Sequence, residues 1–72
     1  MYWLNIDRPT NVARIHRANC RYALDHVETE LKGDGTEKVD GGWIRFEDLA
    51  AVEADERVSG LRLERCGDCN PA

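Results

Sequence analysis

His16-Arg17-Ala18-Asn19-Cys20, early in the chain, and Cys66-Gly67-Asp68-Cys69, late in it, are the segments whose reading decides the fold. Thiolates and a neutral imidazole are the preferred ligands of a closed tetrahedral zinc site. His16, Cys20, Cys66 and Cys69 supply such a set and use every cysteine in the sequence. A Cys-x-x-Cys pair presents two sulfurs to one ion from a single turn, and Gly67 is expected to provide a positive φ within it. Zinc is expected ahead of iron, because a mononuclear Cys₃His set suits it. His26 is the alternative fourth ligand; otherwise it reads as an exposed helical residue or as a partner of a ligand. Two further readings compete with metal: buried inert thiols beside a surface His, or a redox pair at Cys66 and Cys69. The redox pair lacks the strand-to-helix setting of thioredoxin-like sites.

Size gives the metal its importance. A single domain of 72 residues rarely retains more than roughly 3–5 kcal/mol from its core alone. Structural zinc contributes an apparent ~10–16 kcal/mol in finger peptides near neutral pH. Closing the chain from Cys20 to Cys66 would therefore decide whether it folds.

Working outward from the ligands, each pair is expected at the end of a strand. Tyr2–Ile6 reads as a strand and Asp7–Asn11 as a turn, with Asn11 tolerating the left-handed region. Val12–Ile15 reads as the returning strand. Residues 22–31 are equivocal: Leu24, Val27 and Leu31 share one helical face, which favours a short helix. Residues 32–36 and 40–42 read as turns, and the acidic stretch between them as exposed. Trp43–Phe46 is a further strand. The main helix is expected over about 47–59, with Leu49, Ala51, Val52 and Val58 facing a sheet and Gly60 following it. Leu61–Arg65 alternates as the last strand. The expected fold class is α+β: a zinc-stapled domain over 1–72 with a short antiparallel sheet and one main C-terminal helix.

The net charge is −4, which argues against coating nucleic acid by bulk attraction. Its distribution is uneven: Arg8, Arg14, Arg17 and Arg21 face Asp7 alone in the first 22 residues, whereas acids outnumber bases over 23–59. An odd cysteine count prevents a complete disulfide framework, and the N-terminus lacks the pattern of a secretion signal, so a reducing cytoplasm is the expected compartment. No apolar run reaches the ~18 residues of a membrane span.

Trp43–Phe46, the helical Leu49-Ala50-Ala51, and Gly60-Leu61-Arg62 running into Arg65-Cys66-Gly67-Asp68-Cys69-Asn70-Pro71 resemble the second half of the Ada-type zinc domain of bacterial DNA methyl-acceptor proteins. That domain has an early Cys-x-x-x-Cys and a terminal Cys-x-x-Cys-x-Pro. The chain is also similar to small bacterial proteins with His-x-x-x-Cys and a C-terminal Cys-x-x-Cys. Where the methyl-acceptor domain carries its metal-activated nucleophile, this chain has His16. The resemblance implies a stable zinc module without repair chemistry at that position.

Two functions follow as expectations. One is contact with nucleic acid, DNA above all, through Arg14, Arg17, Arg21, Arg62 and Arg65, drawn together by the metal. The other is a zinc-stabilised protein-interaction module with Trp3, Tyr2 or Trp43 as anchor, although Trp43 reads more simply as core. An enzyme is not expected: there is no Gly-rich phosphate loop and no small-molecule substrate is evident, while four protein ligands leave no open metal position. Only if His16 were not a ligand would Cys20, Cys66, Cys69 and a water form an open site.

Overall fold

The chain begins with an antiparallel hairpin, β1 (Tyr2–Asp7) and β2 (Val12–Arg17), in register from Tyr2 opposite Arg17 to Asp7 opposite Val12. Asn11 turns the corner at φ 62°, the left-handed conformation that Asn tolerates better than most residues. The computed structural model describes residues 1–69. Asn70 and Pro71, which belong to the Ada-type motif, lie outside the described residues.

A four-residue helix, α1 (Arg21–Leu24), follows β2, then a two-residue strand, β3 (Gly33–Asp34), and β4 (Gly41–Phe46). The helix α2 (Leu49–Ala54) and a 3₁₀ turn, Glu56–Val58, lead to β5 (Arg62–Arg65). The strands form one five-stranded sheet in the order β3-β4-β1-β2-β5.

The sheet is mixed, not antiparallel throughout as the sequence suggested. β4 and β2 flank β1 antiparallel, but β5 joins β2 in parallel and β3 joins β4 in parallel. A parallel partner requires a crossover rather than a hairpin. The segment 47–61 is that crossover, carrying the chain from β4 past β1 to the outer side of β2.

The main helix is shorter than the expected 47–59. Asp48 caps it by accepting a hydrogen bond from the Ala51 N–H at 2.8 Å, and Asp55 ends it in an extended conformation. Asp55 then caps the 3₁₀ turn and holds Arg57 through a bidentate pair, Nε to Oδ1 at 2.8 Å and Nη2 to Oδ2 at 2.7 Å. A side chain that bonds nearby backbone N–H groups offers an alternative to continuing the helix. Asp55 thus divides one expected helix into two short pieces. Gly60 turns the chain at φ 82°.

One face of the sheet carries the larger core. Leu4 and Ile6 of β1, Ala13 and Ile15 of β2 and Ile44 of β4 pack against Val52 of α2, with Leu49, Val58 and Leu61 at the margin. Ala51, expected on this apolar face, is exposed. At the far edge, the turn after β3 lies so close to β4 that a Cβ on Gly42 would clash with the Thr36 carbonyl. Gly41 beside it, at φ 115°, would clash with the Ile6 carbonyl. These two positions require glycine.

The helix expected over 22–31 stops at Leu24. Leu24, Val27 and Leu31 are exposed, so their shared spacing does not mark a buried face. The stretch around 37–40 is not free: Glu37 pairs with Arg8, and the Asp40 carbonyl accepts the Arg8 N–H at 2.9 Å.

Candidate metal centre

The opposite face of the sheet holds a second cluster, Cys20, Ala23, Trp43 and Cys66, with Trp3 and Cys69 packed against it. Alternation along the strands produces this face. Because Trp3 pairs with His16 and Asn5 with both Arg14 and Trp43, these side chains lie together on the side away from Leu4 and Ile6.

His16, Cys20, Cys66 and Cys69 meet at the end of this face, and their four ligand atoms all lie within 4.8 Å of one another. His16 stands on β2 and Cys20 is the N-cap residue of α1. The Cys20 N–H bonds the Arg17 carbonyl at 3.0 Å, so the chain reverses between these two ligands. Cys66 extends the β5–β2 pairing by donating its N–H to the Ile15 carbonyl at 2.9 Å. Cys69 returns on the following turn, tied to Arg17 twice. The Arg17 N–H donates to Cys69 Sγ at 3.2 Å, and Arg17 Nε donates to the Cys69 carbonyl at 2.8 Å. Gly67 does not adopt the expected positive φ, and among the described residues nothing lies within 4 Å of where its Cβ would stand.

The spacing suits a small tetrahedral ion. Cys20 Sγ lies 3.5 Å from His16 Nδ1 and 4.0 Å from Cys66 Sγ. Two sulfurs bound tetrahedrally at ~2.3 Å from zinc stand about 3.8 Å apart. Modest contraction of the widest pair completes the geometry.

The protonation chemistry points the same way. Burial, and then the neighbouring Arg14 charge, hold His16 below the usual imidazole range, which favours the neutral form that ligates. Burial works against ionising Cys66, but N–H groups of Cys69 and Asp68 outweigh it and bring that thiol below its ordinary value. Cys69 is pushed up to about 11, mainly by burial and also by the neighbouring thiols. One thiolate is favoured here, whereas a second within about 4 Å is costly unless a cation shares the site. A divalent ion removes that conflict, and the donor set therefore fits zinc.

His26 is not in this cluster. It lies beyond α1 with its side chain 10% exposed, in contrast to the exposed helical residue expected. Its ring centroid sits 4.7 Å from that of Trp3 and 4.8 Å from that of Trp43, nearly parallel to the latter. Its Nδ1 faces the Ala23 carbonyl, and its Nε2 lies 2.9 Å from Asp34 Oδ1, so both ring nitrogens meet acceptors. Sequence reading missed this aromatic layer; the signal was the strand register that places Trp3 and Trp43 on the face of His16.

The five arginines are differently disposed. Arg14 and Arg62 both pair with Glu64, at 2.8 and 2.9 Å, and Arg21 pairs with Asp68 at 3.3 Å. Arg17 is engaged by Cys69, while Arg65 is exposed at the end of β5. The metal knuckle does gather arginines, but it gathers acids with them.

Comparison of the chain with known protein families, with curated proteins and with solved structures gives no match. Among the described residues, no helix is long and apolar enough to cross a membrane.

Proposed function

We propose that the chain is a small structural-zinc module, with His16, Cys20, Cys66 and Cys69 as the four ligands and with no catalytic role for the metal. The observation that carries this reading is the convergence, from opposite ends of the sequence, of four N/S ligand atoms within 4.8 Å. Four protein ligands satisfy tetrahedral zinc, so the ion holds β2, α1 and the turn after β5 together without an open position for water. An imidazole at position 16, where the Ada-type domain keeps its reactive thiolate, is consistent with a staple rather than a nucleophile.

Mass spectrometry of the wild type and of Cys66→Ser, His16→Ala and His26→Ala, paired with far-UV circular dichroism in chelator, tests it. One zinc per chain is expected in the wild type, lost from the first two variants and retained in the third. A folded, metal-free wild type would end the proposal.

For the module's partner, the arginine pairing weighs against the phosphate backbone of nucleic acid. A phosphate would have to displace Glu64 or Asp68 to reach Arg14, Arg62 or Arg21. The protein-interaction reading draws support from exposed apolar side chains at the end of α1 and beyond it, where Leu24 and Val27 are 67% and 71% exposed and Val39 is 78% exposed. Trp43, only 8% exposed, is core and does not serve as the anchor. A duplex titration at two salt concentrations separates the two readings, because phosphate contacts weaken steeply with salt. Binding that is tight and salt-dependent would restore nucleic acid.

A further inference from the structure

Of the seven large apolar side chains exposed among the described residues, Leu24, Val27, Leu31 and Val39 fall in one stretch, from the last residue of α1 to the loop before β4. Apolar residues scattered singly over a surface are ordinary, but a group of them marks a contact. Hydrogen bonds close this stretch on itself. The Asp40 N–H donates to the Leu31 carbonyl at 2.8 Å, which sets the backbone of Val39 beside that of Leu31. Lys38 Nζ donates to the Thr29 carbonyl at 2.9 Å and meets Glu28 at 3.0 Å, so Lys38 and Val39 also lie beside the segment that follows Val27. Ala23 is buried and His26 sits between Trp3 and Trp43. The stretch is thus fixed to the sheet while its four apolar side chains meet solvent.

The charge around these side chains has one predominant sign. Residues 24–40 hold six acids against two lysines, a surplus equal to the net charge of the whole chain, −4. Lys38 is taken by Glu28, Glu37 by Arg8 and Asp34 by His26. Asp25 and Glu30 are exposed, and among the described residues their carboxylates have no cationic partner. A second acidic surface provides the contrast. Glu47, Asp48, Glu53 and Glu56, about α2 and the 3₁₀ turn, are exposed, but no large apolar side chain is exposed between Val39 and Leu63. Of the two acidic surfaces, only residues 24–40 combine charge with apolar area.

We propose that residues 24–40 form a docking surface for a basic amphipathic segment of another protein, whose apolar face covers Leu24, Val27, Leu31 and Val39 and whose lysines or arginines meet Asp25 and Glu30. The inference rests on the protein-interaction reading and names the partner's chemistry; it does not depend on the metal. An amphipathic helix offers what this surface lacks, apolar side chains along one stripe with cations at its margins. A second copy of the chain is a poorer occupant, because it carries the same net charge of −4 and its Arg14, Arg21 and Arg62 are paired with its own acids. An anionic lipid surface is repelled by the same carboxylates.

The test is a titration of the ¹⁵N-labelled full chain with a helical peptide of leucine and lysine in amphipathic order, and with its counterpart in which glutamate replaces lysine. Saturable shifts of the backbone amides of Leu24, Val27, Leu31 and Val39 are expected with the lysine peptide alone. Leu31→Ser combined with Val39→Ser should weaken that binding about tenfold, as should Asp25→Lys combined with Glu30→Lys. All four positions are exposed, so the dichroism spectrum should stay unchanged. Glu47→Lys combined with Glu53→Lys, on the acidic surface without apolar area, should bind as the wild type does. An equal loss in that last variant, or full binding by the serine variant, would reduce the effect to bulk attraction and overturn the proposal. Absence of saturable shifts at millimolar peptide would overturn it too, as would shifts at the same amides on concentrating the chain alone or on adding phosphatidylserine vesicles. Binding of the glutamate peptide would refute the basic partner and leave the protein-interaction reading standing. That reading itself falls by tight, salt-dependent binding in the duplex titration, which is a separate measurement.

Discussion

The two faces of the sheet are built from the same strands and held by different physics. On one, Leu4, Ile6, Ala13, Ile15 and Ile44 close against Val52, and non-directional burial of apolar area supplies the attraction. On the other, Trp3, His16 and Trp43 lie with three cysteines and His26, where geometry and charge must be matched group by group. Such a small chain gains from this division, because its apolar face alone is covered by one six-residue helix and a 3₁₀ turn. The second face brings the end of β2 and the start of α1 together with the turn after β5, Cys20 and Cys66 being 46 residues apart in sequence.

The sharpest way to break the comparison is to remove one of the four proposed ligands. Cys66→Ser should abolish zinc binding and cooperative unfolding together, since the apparent ~10–16 kcal/mol of a structural zinc exceeds what a domain of this size typically retains, roughly 0.05–0.15 kcal/mol per residue. Calorimetry would show no transition, and chelator should reproduce the result on the wild type. A variant that kept a sharp transition would mean that the apolar face folds the chain unaided.

The apolar face is probed next by Leu4→Ala, at a fully buried position. Deleting such a side chain costs about 2–5 kcal/mol, read as a lower urea midpoint. At zero denaturant and saturating zinc, one ion per chain should remain, because Leu4 points away from the ligands. Loss of zinc together with the fall in the urea midpoint would show that the two faces are coupled more tightly than their separate packing implies.

The His/Cys cluster was legible in the sequence because metal-ligand chemistry depends on residue type and spacing alone: His16, Cys20, Cys66 and Cys69, which could hold a metal ion, were named before any strand was placed. The hairpin was legible too, since Tyr2–Ile6 and Val12–Ile15 flank a turn with Pro9 and Asn11. The parallel docking of β5 was not, because nothing in Leu61–Arg65 states which neighbour it joins. Nor was the break at Asp55, where a helix-compatible run is cut by one carboxylate finding backbone partners. Residues 22–31 misled because Leu24, Val27 and Leu31 satisfy a helical period without a surface to bury them. His26 escaped notice since its place arises only once register brings Trp3, His16 and Trp43 to one face.

The smallest expected effect concerns how His26 is held on that face. Both of its ring nitrogens point at acceptors, the Ala23 carbonyl and Asp34, so the arrangement suits the doubly protonated imidazolium. Burial alone would lower its pKa, but hydrogen bonds to Asp34 and Ala23, together with the Asp34 charge, outweigh that and raise it. A raised folded value means the native chain holds this proton more tightly than the unfolded chain does. The stabilisation is therefore complete below the ordinary value of about 6.5 and is lost as pH rises through the folded value. Asp34→Asn should remove the charge and flatten this dependence, at a cost of about 0.2–1 kcal/mol, the range of a partly exposed ion pair. The measurement is the difference in urea unfolding between wild type and Asp34→Asn from pH 6.5 to 8.5, with zinc saturating so that His16 does not titrate. Stability curves that run parallel across this window would mean that His26 is neutral between its two tryptophans and that the aromatic layer, not the charge, keeps it there.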